Sequence, residues 1–251
     1  MSDFKICPAG GKILMPKLWL IDMDDTLYSA SAKMFHEIHV LMDQYIIKHL
    51  ALSPDQANML RKEYWRRYGV TYYGLWLHHG IDPHHFLTET HKVDVSSIHT
   101  QSCMKEAIFD LPGKKVLFTN APNVFADQVL AKLHLQNCFT KQYRAEDMKV
   151  FGQWRPKPSA QMFRKIVAEH HLQAHQCCLI DDNLFNLKVA KSVGLQTVLC
   201  KGWHHHKFNV IRQSLYVDAF ISHIKDIQKI LLEKKQARVK RHRPQFLNPY
   251  N

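Results

Sequence analysis

An α/β fold is predicted for this chain of 251 residues: a doubly wound parallel sheet interrupted by a helical insert. Two observations predict it. Short apolar runs rich in strand formers, KLWLID, KKVLFTN, QCCLIDD and LQTVLC, alternate with helical patterns, as strands do when crossover helices bury both faces of their sheet. Between the first and second runs lies one long stretch of helical patterns without a strand pattern. The expected organisation is therefore an α/β core at 15–27 and 96–224, a helical cap at 28–95, and a basic helix end and tail at 225–251.

The first run ends at Asp22 and leads directly into DMDDT, so Asp22, Asp24 and Asp25 fall within four consecutive positions. Like charges repel, and carboxylates at the rim of an apolar core lose hydration, so this crowding is costly unless a cation compensates. A divalent metal is the natural compensator. In the insert, Phe35, Ile38, Met42, Tyr45, Ile46 and His49 recur at three- and four-residue steps, one face of a helix. Ser53, Pro54 and Gln56 then supply an N-cap, a first-turn proline and a capping-box partner for a second helix running to about Tyr68. A third helix is expected after Asp82 and Pro83.

In open parallel sheets, ligands bind outside the carboxyl ends of the strands. The reactive residues gather there: KLWLI ends in Asp22, KVLF in Thr119 and Asn120, QCCLI in Asp181 and Asp182. Asp22 and Asp182, with Asp181, bring carboxylates to one point, which suits an octahedral Mg2+. One Asp22 oxygen is then the nucleophile toward phosphorus, and Asp24 is placed for general acid/base work on the leaving oxygen and the attacking water. Thr119, Asn120 and the backbone beside them can donate to phosphoryl oxygens, and Lys157 in RPKPSAQMF supplies a cation at the start of the next helix. Asp25 and Asn183 read as caps, and Asn186 as a side chain hydrogen-bonding near the metal.

The order DMDDT, FTN, RPKP and LIDDNLFN resembles the four motifs of the haloacid dehalogenase superfamily of Mg2+-dependent phosphohydrolases, over roughly residues 17–200. The resemblance implies a Rossmann-like core with a type 1 helical cap. It implies Asp22 as nucleophile, and Asp24 as acid/base that also offers its backbone carbonyl to the metal. It assigns Thr119 and Lys157 to phosphate, and Asp182 to the metal with Asp181 as the other half of the pair; either of the two can make the direct contact. A closer likeness is to the pyrimidine 5'-nucleotidase branch, through DxDxTLY, YGVTYYGL, HKVD, LPGKKVLFTNAP and DDNLFN, although Asp25 and Asn183 replace the Asn and Ser more usual there. That likeness implies Tyr68, Thr71, Tyr72 and Tyr73 as contacts to a base or ribose, and a nucleoside 5'-monophosphate as substrate. The alternatives are a phosphatase or phosphomutase for a sugar phosphate or other small metabolite. Dehalogenation is disfavoured because it needs neither a second acid/base aspartate nor Mg2+.

Composition bounds the remaining classes. The net charge of +12 suggests nucleic acid as a partner, but eight of the Lys and Arg residues lie at 225–251 against Asp226 and Glu233, so half the excess belongs to the tail. A solvated tail is the expectation, and a basic nucleic-acid-binding protein on this scaffold is the reading from another class. No apolar stretch reaches the roughly 20 residues of a membrane span, and MSDFKICPAGGKILMPK lacks a basic segment leading into a secretory apolar run, so a cytoplasmic protein is expected. Six scattered cysteines without CxxC spacing read as reduced core residues. The run His204, His205, His206 reads as exposed, with adventitious metal binding as its alternative.

Overall fold

The computed structural model describes residues 13–30, 32–101, 103–202, 215–228 and 231. The His204–206 run and almost all of the basic tail lie outside the described residues. Among the described residues eight strands follow in chain order: β1 (Leu18–Ile21), β2 (Lys114–Phe118), β3 (Lys141–Tyr143), β4 (Lys149–Val150), β5 (Gln153–Trp154), β6 (Cys177–Asp181), β7 (Gln196–Cys200) and β8 (Ala219–Ile221). Six of them form one sheet of order β3-β2-β1-β6-β7-β8, and every pairing in it is parallel. The chain winds outward from β1 to β3 on one side, then returns beside β1 at β6 and winds out the other way. This is the doubly wound α/β arrangement read from the sequence, with β1 at its switch point.

Successive strand residues feed opposite layers, as the two-residue period of a strand requires. Trp19, Ile21, Leu117, Cys178 and Ile180 pack on one face, against helices α5 (Met104–Phe109) and α6 (Asn123–Lys132). Leu18, Leu20, Val116, Phe118 and Leu179 pack on the other, against α7 (Ala160–Glu169) and α8 (Leu184–Val193). None of the five described cysteines is in a disulfide, and four of the five are buried in the core.

Four helices precede these, between β1 and β2: α1 (Ala32–Leu50), α2 (Pro54–Tyr68), α3 (Thr71–His79) and α4 (Pro83–Thr90). They build their own apolar cluster around Tyr45, Ile46, Tyr64, Tyr72, Leu75 and Phe86. α2 begins with the expected capping box, Ser53 accepting from the Gln56 N–H while the Gln56 side chain accepts from the Ser53 N–H. Asp82 caps α4 through the N–H groups of His84 and His85. The sequence reading did not anticipate α3, nor the β4–β5 hairpin, whose turn holds Phe151 and Gly152 at φ +50° and +76°. That hairpin matters for the cap, because Trp154 joins the cap cluster and meets the Tyr72 ring edge-on at 6.0 Å. Among the described residues no helix is long and apolar enough to cross a membrane.

Candidate active site

Parallel register carries the strand ends to one place. Ile21 pairs with both Leu117 and Ile180, and the Asp22 N–H donates to the Ile180 carbonyl at 3.0 Å, so Asp22 and Asp181 emerge side by side with Thr119 beyond Phe118. Asp22, Asp181 and Asp182 each offer a carboxylate oxygen, all within 4.8 Å of one another. Lys157 reaches between them from the loop before α7. Its Nζ donates to Asp22 Oδ1 at 2.5 Å and to Asp181 Oδ2 at 3.0 Å, and the lysine is 2 % exposed. Asp181, fully buried, is held further by the Asn183 N–H and by Asn186 Nδ2, which donates to both of its oxygens at 3.0 Å.

The electrostatics are those of crowded anions. Burial raises the Asp22 carboxyl far above its usual range, with Asp181 and Asp24 adding to the effect and Lys157 opposing it. Burial also raises Asp182, again reinforced by Asp181 and Asp22. Asp24 is pushed up to about 6, chiefly by burial, against the hydrogen bond it accepts from the Tyr28 hydroxyl. Burial works against the charge of Lys157, yet Asp181 and Asp22 hold it protonated above the ordinary lysine range. One buried ammonium does not balance this set, so the carboxylates fit a hard divalent cation such as Mg2+, whose preferred ligands are oxygens.

A cavity of about 570 Å3 opens over these groups, walled by the strand-end loops below and by α1 to α4 above. Asp22, Asp24, Thr119, Asn120, Lys157, Asp182 and Asn186 all line it, and so do Thr71 and Tyr72 of the cap. Thr119 is fully buried and its hydroxyl oxygen accepts from the Ala121 N–H at 3.1 Å. Asn120 differs from expectation: its side chain accepts from the Lys157 N–H at 2.9 Å and donates to the Lys157 carbonyl at 3.0 Å. The side-chain amide thus positions the lysine loop.

Two expected cap contacts are corrected. Tyr68 and Tyr73 do not line this cavity; they line a second one beside Arg155 and Ser159. The Tyr68 hydroxyl is 2.6 Å from His78 Nε2, and the Tyr73 hydroxyl accepts from Arg155 at 3.3 Å. The cause is helical geometry, since Tyr72 and Tyr73 are adjacent on α3 and point about 100° apart. In their place the cavity receives Phe35, Ile38 and Met42 from α1, Arg61 and Trp65 from α2, His91 after α4 and Phe125 from α6. The α1 stripe was visible as periodicity, and His91 opens the HKVD stretch, although that stretch assigns it no role; Arg61 carried no signal in the sequence.

A parallel sheet with an acidic, lysine-bridged centre at its carboxyl edge and a helical roof defines a capped α/β protein with a cation-competent centre. The chain belongs to the haloacid dehalogenase-like hydrolase family, whose model matches residues 16–194. It is 25% identical over 233 residues to phosphate metabolism protein 8 of Saccharomyces cerevisiae, covering 86% of this chain and 72% of the yeast protein. Among solved structures it resembles a HAD phosphatase from Thermococcus onnurineus (TM-score 0.55, 17% identity, 86% of this chain and 98% of that one). It also resembles the L-2-haloacid dehalogenase of Xanthobacter autotrophicus (TM-score 0.54, 12% identity, 87% and 99%). At these identities the two structures share the fold alone.

Proposed function

We propose that this hydrolase is a Mg2+-dependent phosphomonoesterase working through an aspartyl-phosphate, and that its substrate is a nucleoside 5'-monophosphate, in particular a pyrimidine one. The observation that carries the reading is Lys157 bridging Asp22 and Asp181 inside the carboxylate trio, at the floor of a roofed cavity. Asp22, Asp182 and Asp181, with the Asp24 backbone carbonyl, would hold the metal. When bound, Mg2+ supplies neutralising charge and Lewis-acid polarisation of a phosphoryl oxygen.

The chain's own residues do the rest. Lys157 opposes the burial-driven rise of the Asp22 carboxyl and attracts phosphoryl oxygens, while the Thr119 hydroxyl and the Asn120 backbone N–H donate to them. Asp22 attacks phosphorus, the bond from phosphorus to the ester oxygen breaks, and Asp24 gives its proton to that oxygen. Asp24 then takes a proton from water, whose oxygen attacks the phosphorus of the acyl phosphate, releasing phosphate and restoring Asp22. Asp24 and the metal-competent trio favour this chemistry over dehalogenation. A cavity of about 570 Å3 is within the size range of small-molecule sites, and Phe35, Tyr72 and Phe125 give it flat apolar walls suited to a base. The name of the yeast relative is in keeping with a phosphate ester.

The test is a screen of phosphorylated metabolites with Mg2+, comparing the intact chain with Asp22→Asn. Release of phosphate from UMP or CMP, lost by at least about a thousandfold in the variant, is the expected outcome. Hydrolysis of sugar phosphates without nucleotides removes the nucleotide assignment, and undiminished activity in Asp22→Asn removes the mechanism.

A further inference from the structure

The roof of the cavity holds two polar groups that the phosphoryl chemistry does not use. Arg61 on α2 is buried, and Asp43 on α1 fixes its guanidinium: Nε donates to Asp43 Oδ1 at 2.7 Å and Nη2 to Oδ2 at 3.4 Å. Asn58 Nδ2 steadies the same carboxylate at 3.0 Å. One edge of the fork is thereby occupied. Nη1 has no partner among the described residues, and Arg61 lines the cavity.

His91 is oriented just as firmly. Its Nδ1 lies 3.1 Å from the Leu87 carbonyl and 3.1 Å from the Thr90 hydroxyl, whose own hydrogen is donated to the Phe86 carbonyl at 2.8 Å. A carbonyl can only accept, so Nδ1 carries the hydrogen. Nε2, at the opposite end of a neutral ring, then presents a lone pair. Burial supports the neutral form by lowering His91 to about 4. The ring packs edge-on against Phe125 at 5.6 Å and lines the cavity, and Nε2 has no partner among the described residues. The roof therefore offers a fixed cationic donor and a fixed acceptor between apolar walls.

We infer that Arg61 and His91 form a base-reading subsite in the cap that selects a uracil-type pyrimidine over a cytosine, Arg61 Nη1 donating to a ring carbonyl and His91 Nε2 accepting from the ring N3–H. This rests on the nucleotide reading above. Uracil presents such a donor beside a carbonyl acceptor, and a buried polar group left unpaired by a wrong ligand penalises that ligand strongly. A leaving group without this pattern, such as phenol, satisfies neither residue.

The experiment separates the subsite from the chemistry by using uridine, which has no phosphate, as the probe. Its dissociation constant is measured for the full chain and for His91→Asn, His91→Gln and Arg61→Lys. Asn can keep the hydrogen bond to Leu87 but has no atom at the Nε2 position, whereas Gln can present an acceptor there; Lys keeps a cation for Asp43 but loses the fork. Uridine binding at least tenfold weaker in His91→Asn and Arg61→Lys, with part recovered in His91→Gln, is the expected result. Inhibition by orthophosphate, measured in parallel on phenyl phosphate hydrolysis, registers any general damage to the site. The inference is overturned by no uridine binding to the intact chain, by equal binding to all variants, or by orthophosphate affinity falling in step with uridine affinity. Hydrolysis of UMP is scored separately, so its failure removes the nucleotide-substrate reading while the uridine result stands.

Discussion

A single amide decides how firmly Asp181 is held. Asn186 Nδ2 donates to both Asp181 oxygens, and Asn186 is itself buried on the first turns of α8. Groups that orient a metal-binding carboxylate typically change metal affinity by about ten- to a hundredfold when removed. In Asn186→Ala the Mg2+ concentration giving half-maximal activity is expected to rise by about that factor. Activity at saturating Mg2+ should fall much less; the metal dependence of initial rates checks this. The residues at the strand ends were legible because a strand leaves its last side chain at the sheet's edge whatever surrounds it. Cap residues were not. A helix makes direction depend on position within 3.6 residues, so Tyr72 and Tyr73 look alike in sequence yet face different cavities.

At the level of elements, the strongest local signals became structure: four apolar runs are strands, and the Ser53–Gln56 pattern caps α2. α3 escaped notice because its N-cap position is Val70, which makes no side-chain capping bond, and because Thr, Tyr and Val favour strands. The β4–β5 hairpin has only two residues per strand, too few to show alternation. Gly69 joins two such elements. It ends α2 at φ +82°, and a Cβ there would lie 2.6 Å from Pro158 Cδ and 3.1 Å from the Lys157 carbonyl oxygen. Gly69→Ala must therefore strain the turn and push the cap against the loop carrying Lys157. A loss of roughly 1–3 kcal/mol in unfolding free energy is expected, together with a fall in kcat. Ser53→Ala provides the contrast: removing that exposed cap should cost about 1 kcal/mol and leave kcat intact. Chemical denaturation and steady-state kinetics on the two variants separate the roles.

Across the whole molecule, the acidic centre opposes stability. Asp22, Asp24 and Asp182 have carboxyl groups raised above their unfolded values, so the native state holds these protons more tightly than the unfolded chain does. Their contribution favours folding at low pH and is lost as pH rises through the native values; for Asp24 that window runs from 3.8 to about 6. At neutral pH the metal-free protein thus bears the cost of burying carboxyl groups that also repel one another. Two consequences follow in opposite directions. Mg2+, binding the native state alone, should raise the unfolding free energy by about 2.7 kcal/mol at a hundred times its dissociation constant, some 5–10 °C in Tm for a chain of this size. Asp182→Asn replaces a carboxyl that burial and its anionic neighbours hinder from ionising by a neutral amide, so its metal-free Tm should exceed that of the parent while most of the Mg2+-dependent rise disappears. Calorimetry of both proteins at pH 7.5, with Mg2+ and with chelator, reads all four midpoints. A variant less stable than the parent without metal would mean that Asp182 is held by protein contacts strong enough to outweigh the repulsion, and that the trio is a structural network instead of a cation site.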